Sequence, residues 1–183
     1  MSVQSEYNSS MIKIYDNTVP FNVQQIVYNR ILHSLFRIKG WEDRHDLDMN
    51  KPDLHSNWSF EDLSESKLFP YIYKALNADG GSTVVKGFDK CNVNLTKPGD
   101  YHYTHTHGDN TTVVLYYANL EWQDGWAGET LFYDDERNLM SACEYTPGRI
   151  LKFSGDTPHT IRPQSFKAPQ FRFTISVFFK DSA

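Results

Sequence analysis

The most chemically suggestive part of this sequence is a His-x-Asp segment that is followed, far downstream, by one more histidine. The segment is His107-Gly-Asp109 and the distant residue is His159. Two imidazoles and one carboxylate can occupy one face of a metal ion and leave three coordination positions open. This donor set is typical of non-haem Fe(II), where a co-substrate and O₂ bind together. We therefore predict that His107, Asp109 and His159 are metal ligands and that the chemistry is that of an oxygenase.

A second histidine next to this segment offers an alternative set of ligands. Residues two apart on a strand face the same side, so His105 would point the same way as His107 and Asp109. The pair His105-Thr-His107 resembles the first metal motif of cupin barrels, but the Glu that follows in that motif is replaced here by Thr111 and Thr112. We prefer Asp109 because a carboxylate neutralises charge on Fe(II), and we keep His105 as the alternative ligand or as a supporting residue.

An arginine after the distal histidine could bind a carboxylate. Arg172-Phe-Thr174 lies in an aromatic and β-branched segment that is typical of a strand. A guanidinium group recognises a carboxylate through two parallel hydrogen bonds. Arg162 is a rival, but it precedes Pro163 at the end of a strand. We predict that Arg172 anchors a dicarboxylate.

The first half of the chain is predicted to supply helices that support this site. Met11–Tyr15 reads as a short strand, and the apolar spacing over Phe21–Ile38 predicts an amphipathic helix. Trp41–Phe60 is polar and rich in turn residues, which indicates a long loop. A further helix is predicted around Leu68–Leu76.

From Thr83 onward the pattern changes to short aromatic and β-branched segments separated by turn signals. Such spacing predicts an antiparallel sandwich or barrel. We therefore expect an α+β protein with one domain over 1–183, with helical support and loops in 1–82 and a β core in 83–180. The polar stretches Asp134–Cys143 and Arg162–Gln170 are predicted loops. The predicted strands are Val84–Lys86, Cys91–Thr96, Tyr101–His107, Thr111–Ala118, Thr130–Tyr133, Arg149–Phe153 and Phe171–Phe179.

Composition makes nucleic acid an unexpected partner and is consistent with a reducing compartment. The 18 basic and 23 acidic residues give a net charge of −5, so a nucleic-acid partner is not expected. The two cysteines, Cys91 and Cys143, form no CxxC motif and fit a reducing, cytoplasmic compartment. The sequence has no apolar run of membrane-spanning length and no signal-peptide pattern, so we expect no membrane partner.

Several segments, in this order, resemble the motifs of the Fe(II)/2-oxoglutarate-dependent oxygenases, in particular their prolyl-hydroxylase-like branch. The resemblance runs from roughly Thr83 to Phe179, about half of the chain. Ala127 stands where that family usually has Gly, a change that we expect to be harmless. The matching segments are Lys97-Pro-Gly99 leading to His107-Gly-Asp109, Val114-Leu-Tyr-Tyr-Ala-Asn119, Trp126-Ala-Gly-Glu-Thr-Leu-Phe132, Pro147-Gly-Arg-Ile-Leu-Lys-Phe153, His159 and Arg172–Phe179.

The resemblance implies a fold and a set of cofactors. The fold would be a double-stranded β-helix, the jelly-roll of cupin-like proteins, with N-terminal supporting helices. Fe(II) would be the metal, 2-oxoglutarate the co-substrate and ascorbate an optional cofactor. Arg172 would bind the 5-carboxylate of 2-oxoglutarate, with Thr174 and Tyr117 as hydrogen-bond donors.

The resemblance also implies an activity. We expect a dioxygenase that hydroxylates an amino-acid side chain, with a proline in a peptide or protein as the leading substrate. A hydroxylase of small molecules, such as amino acids, sugars or other metabolites, is the alternative within the same superfamily. A non-catalytic cupin-like module that binds a metal or ligand is an alternative from a different class. The loops that would choose the substrate carry no readable code.

Overall fold

The computed structural model of the chain describes residues 12–39, 53–78, 85–168 and 170–181. None of the helices in these ranges has the length and apolar character needed to cross a membrane. The helices are α1 (Phe21–Leu32), α2 (Phe60–Glu65) and α3 (Phe69–Asn77). The strands are β1 (Ile12–Tyr15), β2 (Arg37–Lys39), β3 (Asp53–Trp58), β4 (Val85–Thr96), β5 (Thr111–Tyr117), β6 (Thr130–Tyr133), β7 (Leu139–Cys143), β8 (Ile150–Ser154), β9 (His159–Ile161) and β10 (Arg172–Asp181).

Two antiparallel sheets form the β core. The major sheet has seven strands in the order β1-β8-β5-β10-β4-β3-β2, and the minor sheet has three in the order β7-β6-β9. Apolar residues from both sheets share one cluster, so the sheets pack face to face. The fold is a double-stranded β-helix with few helices, which confirms the predicted fold class.

Alternation along the central strands divides the side chains between two layers. On β10, Phe173, Ile175, Val177 and Phe179 pack with the helices. The residues between them have the opposite parity, and Phe178 packs in the cluster between the sheets. Arg172, Thr174 and Ser176 have the same parity as Phe178 and are also buried. The interior face of this strand is therefore apolar near its carboxyl end and polar near its start.

Helix α1 packs on the outer face of the major sheet. Val23, Val27 and Ile31 recur every four residues and are buried, and the Tyr28 ring meets the Phe173 ring edge to face at 6.0 Å. The predicted helix of Phe21–Ile38 was too long, because the chain leaves the helix after Leu32 and forms β2. Strand pairing with β3 outweighs local helical periodicity there.

Three further predictions about elements were wrong in part. The stretch Trp41–Phe60 was expected to be a loop, but Asp53–Trp58 forms β3 between β2 and β4; residues 40–52 lie outside the described ranges. The expected loop Asp134–Cys143 contains β7, which pairs with β6. The expected strand Tyr101–His107 is irregular and retains a single bridge, at His105. Pairing with a partner strand, which is not visible in the local sequence, decides each case.

Candidate active site

Three histidine side chains converge at the edge of the minor sheet. One ligand atom from each of His105, His107 and His159 lies within 4.8 Å of the others. The ring centroids are 5.0 Å apart for His105 and His107, 4.6 Å for His105 and His159, and 4.9 Å for His107 and His159. Imidazole nitrogens bind first-row metals at about 2.0–2.1 Å, so one ion could contact all three rings after small side-chain adjustments.

Backbone pairing holds two of these residues directly opposite each other. The His105 amide donates to the His159 carbonyl, and the His159 amide donates to the His105 carbonyl, both at 3.0 Å. Such a reciprocal pair places Cα atoms about 5.5 Å apart in an antiparallel ladder. The pair therefore fixes the spacing of the two imidazoles through the main chain.

Hydrogen bonds at one ring nitrogen orient the same two imidazoles. His159 Nδ1 lies 2.8 Å from the Thr157 carbonyl, and His105 Nδ1 lies 3.1 Å from the Tyr103 carbonyl. A carbonyl oxygen only accepts, so both Nδ1 atoms carry the proton and donate it. Each Nε2 then keeps its lone pair, as a metal ligand requires.

Burial keeps His159 neutral. Desolvation and, to a smaller extent, the nearby His105 lower the pKa of His159 to about 4, although the hydrogen bond to the Thr157 carbonyl opposes the shift. Neutral imidazole is the metal-binding form. His159 is therefore ready to bind a metal at neutral pH.

A buried glycine brings the segment that carries His107 close to the end of β8. The Gly155 carbonyl accepts from the His107 amide, and the Gly155 amide donates to the Thr111 carbonyl, both at 2.6 Å. A Cβ atom at Gly155 would lie 2.8 Å from the Gly108 carbonyl oxygen and 2.8 Å from Thr111 Cβ. Only glycine fits this crossing without displacing its neighbours.

Aromatic rings form the floor beneath the three imidazoles. The His107 ring lies 4.7 Å from Phe178, and the His159 ring lies 4.9 Å from Phe153 and 6.1 Å from Phe132. These rings exclude water from one side of the cluster. An ion held there would face the polar part of the interior or solvent.

Of the three ligands proposed from the sequence, the structure brings two together and leaves the third outside the group. His107 and His159 lie together, and His105, the alternative ligand, completes their group. Asp109 is exposed on a bend after Gly108 and does not belong to the group.

Arg172, at the start of β10, is buried in the interior without a matching acid. Its side chain is 1% exposed, and no carboxylate in the described residues forms an ion pair with it. Nε donates to the Gly128 carbonyl at 2.9 Å. Burial lowers the pKa of the guanidinium, although the nearby Tyr117 and Tyr145 phenols and, to a smaller extent, the Glu129 carboxylate oppose the shift. A buried cation without a counter-ion costs several kcal/mol, which favours an anionic ligand.

Two stacked tyrosines lie against this guanidinium. The Tyr117 and Tyr145 rings are 4.4 Å apart and nearly parallel. The Arg172 guanidinium carbon is 5.4 Å from the Tyr117 centroid and 4.7 Å from the Tyr145 centroid. The Tyr117 hydroxyl lies 2.7 Å from Thr130 Oγ1, which also receives a long contact of 3.5 Å from Arg172 Nη2. The rings stabilise the cation through their faces, and no carboxylate of the described residues lies within ion-pair distance of it.

Thr174 lies on the same interior face, two residues after Arg172. It pairs with Tyr117 across β5 and with Asn94 across β4. Asn94 Nδ2 donates to Thr174 Oγ1 at 3.3 Å and to Ser176 Oγ at 3.0 Å. Because both hydroxyls accept from Asn94, their own protons remain available to donate.

The rival Arg162 is engaged elsewhere. Its side chain is 60% exposed, and Nη1 lies 3.0 Å from a Glu129 carboxylate oxygen. This cation has both solvent and a counter-ion, so it does not need an anionic ligand. The burial and pairing of the two arginines favour Arg172 as the anchor.

The segment that resembles the Trp-Gly-Gly-Glu-Thr motif passes directly over Arg172. A Cβ at Gly128, where φ is +88°, would lie 3.2 Å from Arg172 Cδ and 3.3 Å from a Trp122 ring carbon. Ala127 has φ of +58°, a left-handed conformation that favours glycine. The substitution of Gly by Ala at this position is therefore a strained one, contrary to our expectation that it is harmless.

Sequence reasoning missed three residues of this pocket as functional candidates. Thr130 was quoted only as part of a motif, although its hydroxyl lies between Tyr117 and Arg172. Tyr145 lies in the irregular connection between β7 and β8 and follows no strand pattern, so no local signal could have identified it. Asn94 lies in a predicted strand, Cys91–Thr96, where core packing accounts for a side chain as well as a functional role does.

Comparisons with known proteins give a clear result for the fold. No protein-family model matches the chain, and no curated protein matches it. Solved structures match over most of its length. The chain has the fold of known 2-oxoglutarate–Fe(II) oxygenases.

Three of these structures are prolyl hydroxylases. One, from Trichoplax adhaerens in complex with a peptide fragment of hypoxia inducible factor, has a TM-score of 0.73 and 19% identity, covering 95% of this chain and 85% of its own. The Pseudomonas putida prolyl-4-hydroxylase has a TM-score of 0.71 and 16% identity, covering 92% of each chain. The collagen prolyl hydroxylase of Paramecium Bursaria Chlorella virus-1, in a 2OG complex, has a TM-score of 0.68 and 12% identity, covering 95% of this chain and 98% of its own.

Proposed function

We propose that this protein is an Fe(II)- and 2-oxoglutarate-dependent dioxygenase. The observation that carries the proposal is the set of residues at the interior face of β10. Three convergent imidazoles lie over its apolar part, and a buried arginine without a counter-ion lies at its polar end. The first can hold a divalent metal and the second requires an anion. A dicarboxylate co-substrate that chelates the metal would satisfy both.

The histidine cluster suits the proposed metal. Imidazole is a good ligand for Fe(II), and His105 and His159 already present Nε2 lone pairs through their Nδ1 hydrogen bonds. Bound iron would supply the activation of O₂ that no side chain can provide. The protein's own part is to hold the ion, orient the substrate beside it and exclude water.

The polar end suits the 5-carboxylate of 2-oxoglutarate. Arg172 would offer a planar pair of donors, and Thr174 would add a hydroxyl whose proton is free to donate. Burial raises the pKa of the Tyr117 phenol far above its ordinary value, so Tyr117 stays protonated and can act as a donor. All three groups are buried, which strengthens hydrogen bonds to a charged ligand.

We further propose a peptide or protein substrate, with a prolyl side chain as the hydroxylated group. The support is the likeness in fold to prolyl hydroxylases, one of which was solved with a peptide. Tyr101 and Tyr103, each about half exposed, form an edge-to-face pair at 5.2 Å just before His105. Exposed aromatic rings beside the site suit contact with a proline-containing chain.

Two parts of the proposal concern conditions in the cell. We place the protein in the cytoplasm, because Cys91 and Cys143 are buried free thiols, as expected in a reducing compartment. Ascorbate is proposed as an optional reductant.

An anaerobic titration tests the oxygenase proposal. Purified protein is mixed with Fe(II) and then with 2-oxoglutarate, and visible absorbance is recorded. A charge-transfer band that needs both additions is expected, since chelation would place the 2-oxo acid on the metal. A protein that binds Fe(II) but gives no charge-transfer band after 2-oxoglutarate is added would contradict the proposal.

A further inference from the structure

We infer that the metal centre of this chain contains three neutral imidazoles, His105, His107 and His159, and no carboxylate. The inference shares its metal with the proposed function. It concerns the third ligand, which the sequence alone leaves open between His105 and Asp109. Among the described residues, the group of possible metal ligands contains His105 together with His107 and His159.

The backbone pairing decides in favour of His105. His105 and His159 bond reciprocally and lie opposite each other. Both also donate Nδ1–H to the carbonyl of the residue two positions earlier, Tyr103 and Thr157. The two imidazoles are therefore held in the same way, as a matched pair of ligands would be.

His107 completes the group because its backbone is fixed as well. Its amide bonds to the Gly155 carbonyl at 2.6 Å, and its ring packs on Phe178. Its ring centroid then lies within 5.0 Å of the other two rings. Three rings at nearly equal spacing surround a single point.

Asp109 lies beyond the turn that ends this segment. Gly108 and Asn110, on either side of it, have φ of +85° and +55°, which bend the chain away from its extended course. Asp109 is exposed, and its carbonyl accepts a long hydrogen bond of 3.4 Å from the Thr111 hydroxyl. Its carboxylate lies outside the donor group.

A carboxylate-free centre has a distinct chemistry. Three neutral ligands leave a divalent ion with its full charge of 2+, whereas one carboxylate would reduce the net charge to 1+. Imidazole suits Fe, Co, Ni, Cu and Zn, whereas carboxylate oxygens suit Mg and Mn. We therefore expect this centre to discriminate strongly against Mn(II) relative to Co(II).

Metal titration of the whole protein tests the ligand set without reference to activity. Co(II) is titrated anaerobically, and its visible d–d absorbance reports binding. We expect His105→Ala to weaken Co(II) binding more than the roughly 10–100-fold that loss of a supporting residue causes. Asp109→Asn should stay within about twofold of the unaltered protein, because the inference gives Asp109 no contact with the ion.

Two further variants make the test specific. His33→Ala, at the end of α1, is the matched control and should bind Co(II) normally, since its Nδ1 bonds to the Asn29 carbonyl far from the site. His107→Asp would introduce a carboxylate beside His105. This variant should lower the ratio of Co(II) affinity to Mn(II) affinity by about tenfold or more. If His107 had a purely structural role, the ratio would not change.

The outcomes separate this inference from the proposed function. Loss of Co(II) binding in Asp109→Asn with retention in His105→Ala would overturn the inference, and so would an unaltered protein that binds no Co(II). Binding that depends on His105 but not on Asp109, with no 2-oxoglutarate-dependent band, would support the inference and contradict the oxygenase proposal. Circular dichroism of each variant shows whether lost binding reflects lost folding.

Discussion

Replacement of Arg172 by methionine should greatly weaken co-substrate binding and change stability little. Arg172 is 1% exposed and has no carboxylate partner in the described residues. Its partners are the Gly128 carbonyl, Thr130 and the faces of Tyr117 and Tyr145. Its burial as an unneutralised cation is therefore explained best by a ligand that arrives later.

The expected effect on stability is small for so buried a residue. Replacing a buried ionic group by an apolar side chain of similar volume is often neutral or stabilises by about 1–4 kcal/mol. The Gly128 carbonyl would lose its donor, which costs about 1–3 kcal/mol. The two effects largely cancel, so the free energy of unfolding of Arg172→Met without ligand should lie within about 2 kcal/mol of the unaltered protein. Urea unfolding measures it.

The expected effect on 2-oxoglutarate is large. Loss of one hydrogen bond to a charged group costs about 1.5–3 kcal/mol, so the Kd for 2-oxoglutarate should rise about ten- to a hundredfold. Calorimetry with Co(II)-loaded protein measures this Kd, and Co(II) binding itself should be spared. Arg162→Met is the control and should leave the Kd unchanged, because Arg162 is exposed and paired with Glu129.

Two results would refute this account of Arg172. An unfolding free energy lowered by more than about 3 kcal/mol in Arg172→Met would assign the residue to the structural core. An unchanged Kd in Arg172→Met, together with a raised Kd in Arg162→Met, would place the anchor at Arg162.

Other predictions concern single positions. Gly155→Ala should destabilise the protein by about 1–3 kcal/mol and weaken Co(II) binding, because the added Cβ would lie 2.8 Å from Thr111 Cβ. Urea unfolding and Co(II) titration measure the two effects. Normal Co(II) affinity in this variant would show that the close contact at Gly155 does not position His107. Ala127→Gly should stabilise the protein by about 0.5–1 kcal/mol, because glycine adopts the φ of +58° without strain. A lower free energy of unfolding in urea would count against strain at this position. The pKa of Asp62 is lowered first by the Ser59 amide, so its stabilising effect is present above its unfolded pKa and lost as pH falls through the folded one. Asp62→Asn should therefore reduce stability more at pH 7 than at pH 2, and an equal loss at both values would contradict the linkage.

The fold was predictable because the β segments repeat a clear pattern. β5 and β10 contain long aromatic and β-branched runs, and turn residues separate many of the strands. β3 escaped prediction because its polar sequence, DLHSNW, is ordered by pairing on both sides, with β2 and β4. Helix α1 was overextended because apolar Leu35 and Phe36 continue the helical spacing locally.

The site was predictable in its parts and not in its details. Arg172 was proposed from its strand-like segment, and His159 from its distance after the His-x-Asp motif. The choice between His105 and Asp109 depends on where the extended segment ends, and the φ of +85° at Gly108 cannot be read from the sequence. Tyr145 reaches the pocket through tertiary packing alone.

The most direct test of the central claim is an isotope measurement on product. Protein loaded with Fe(II) and 2-oxoglutarate is incubated under ¹⁸O₂ with proline-containing peptides and, in parallel, with free amino acids and sugars. We expect succinate to form and a peptide to gain one ¹⁸O atom on proline, with both signals lost in His159→Ala. Gain of ¹⁸O by a small metabolite alone would contradict the prolyl assignment, and the absence of both succinate and labelled product would contradict the oxygenase claim itself.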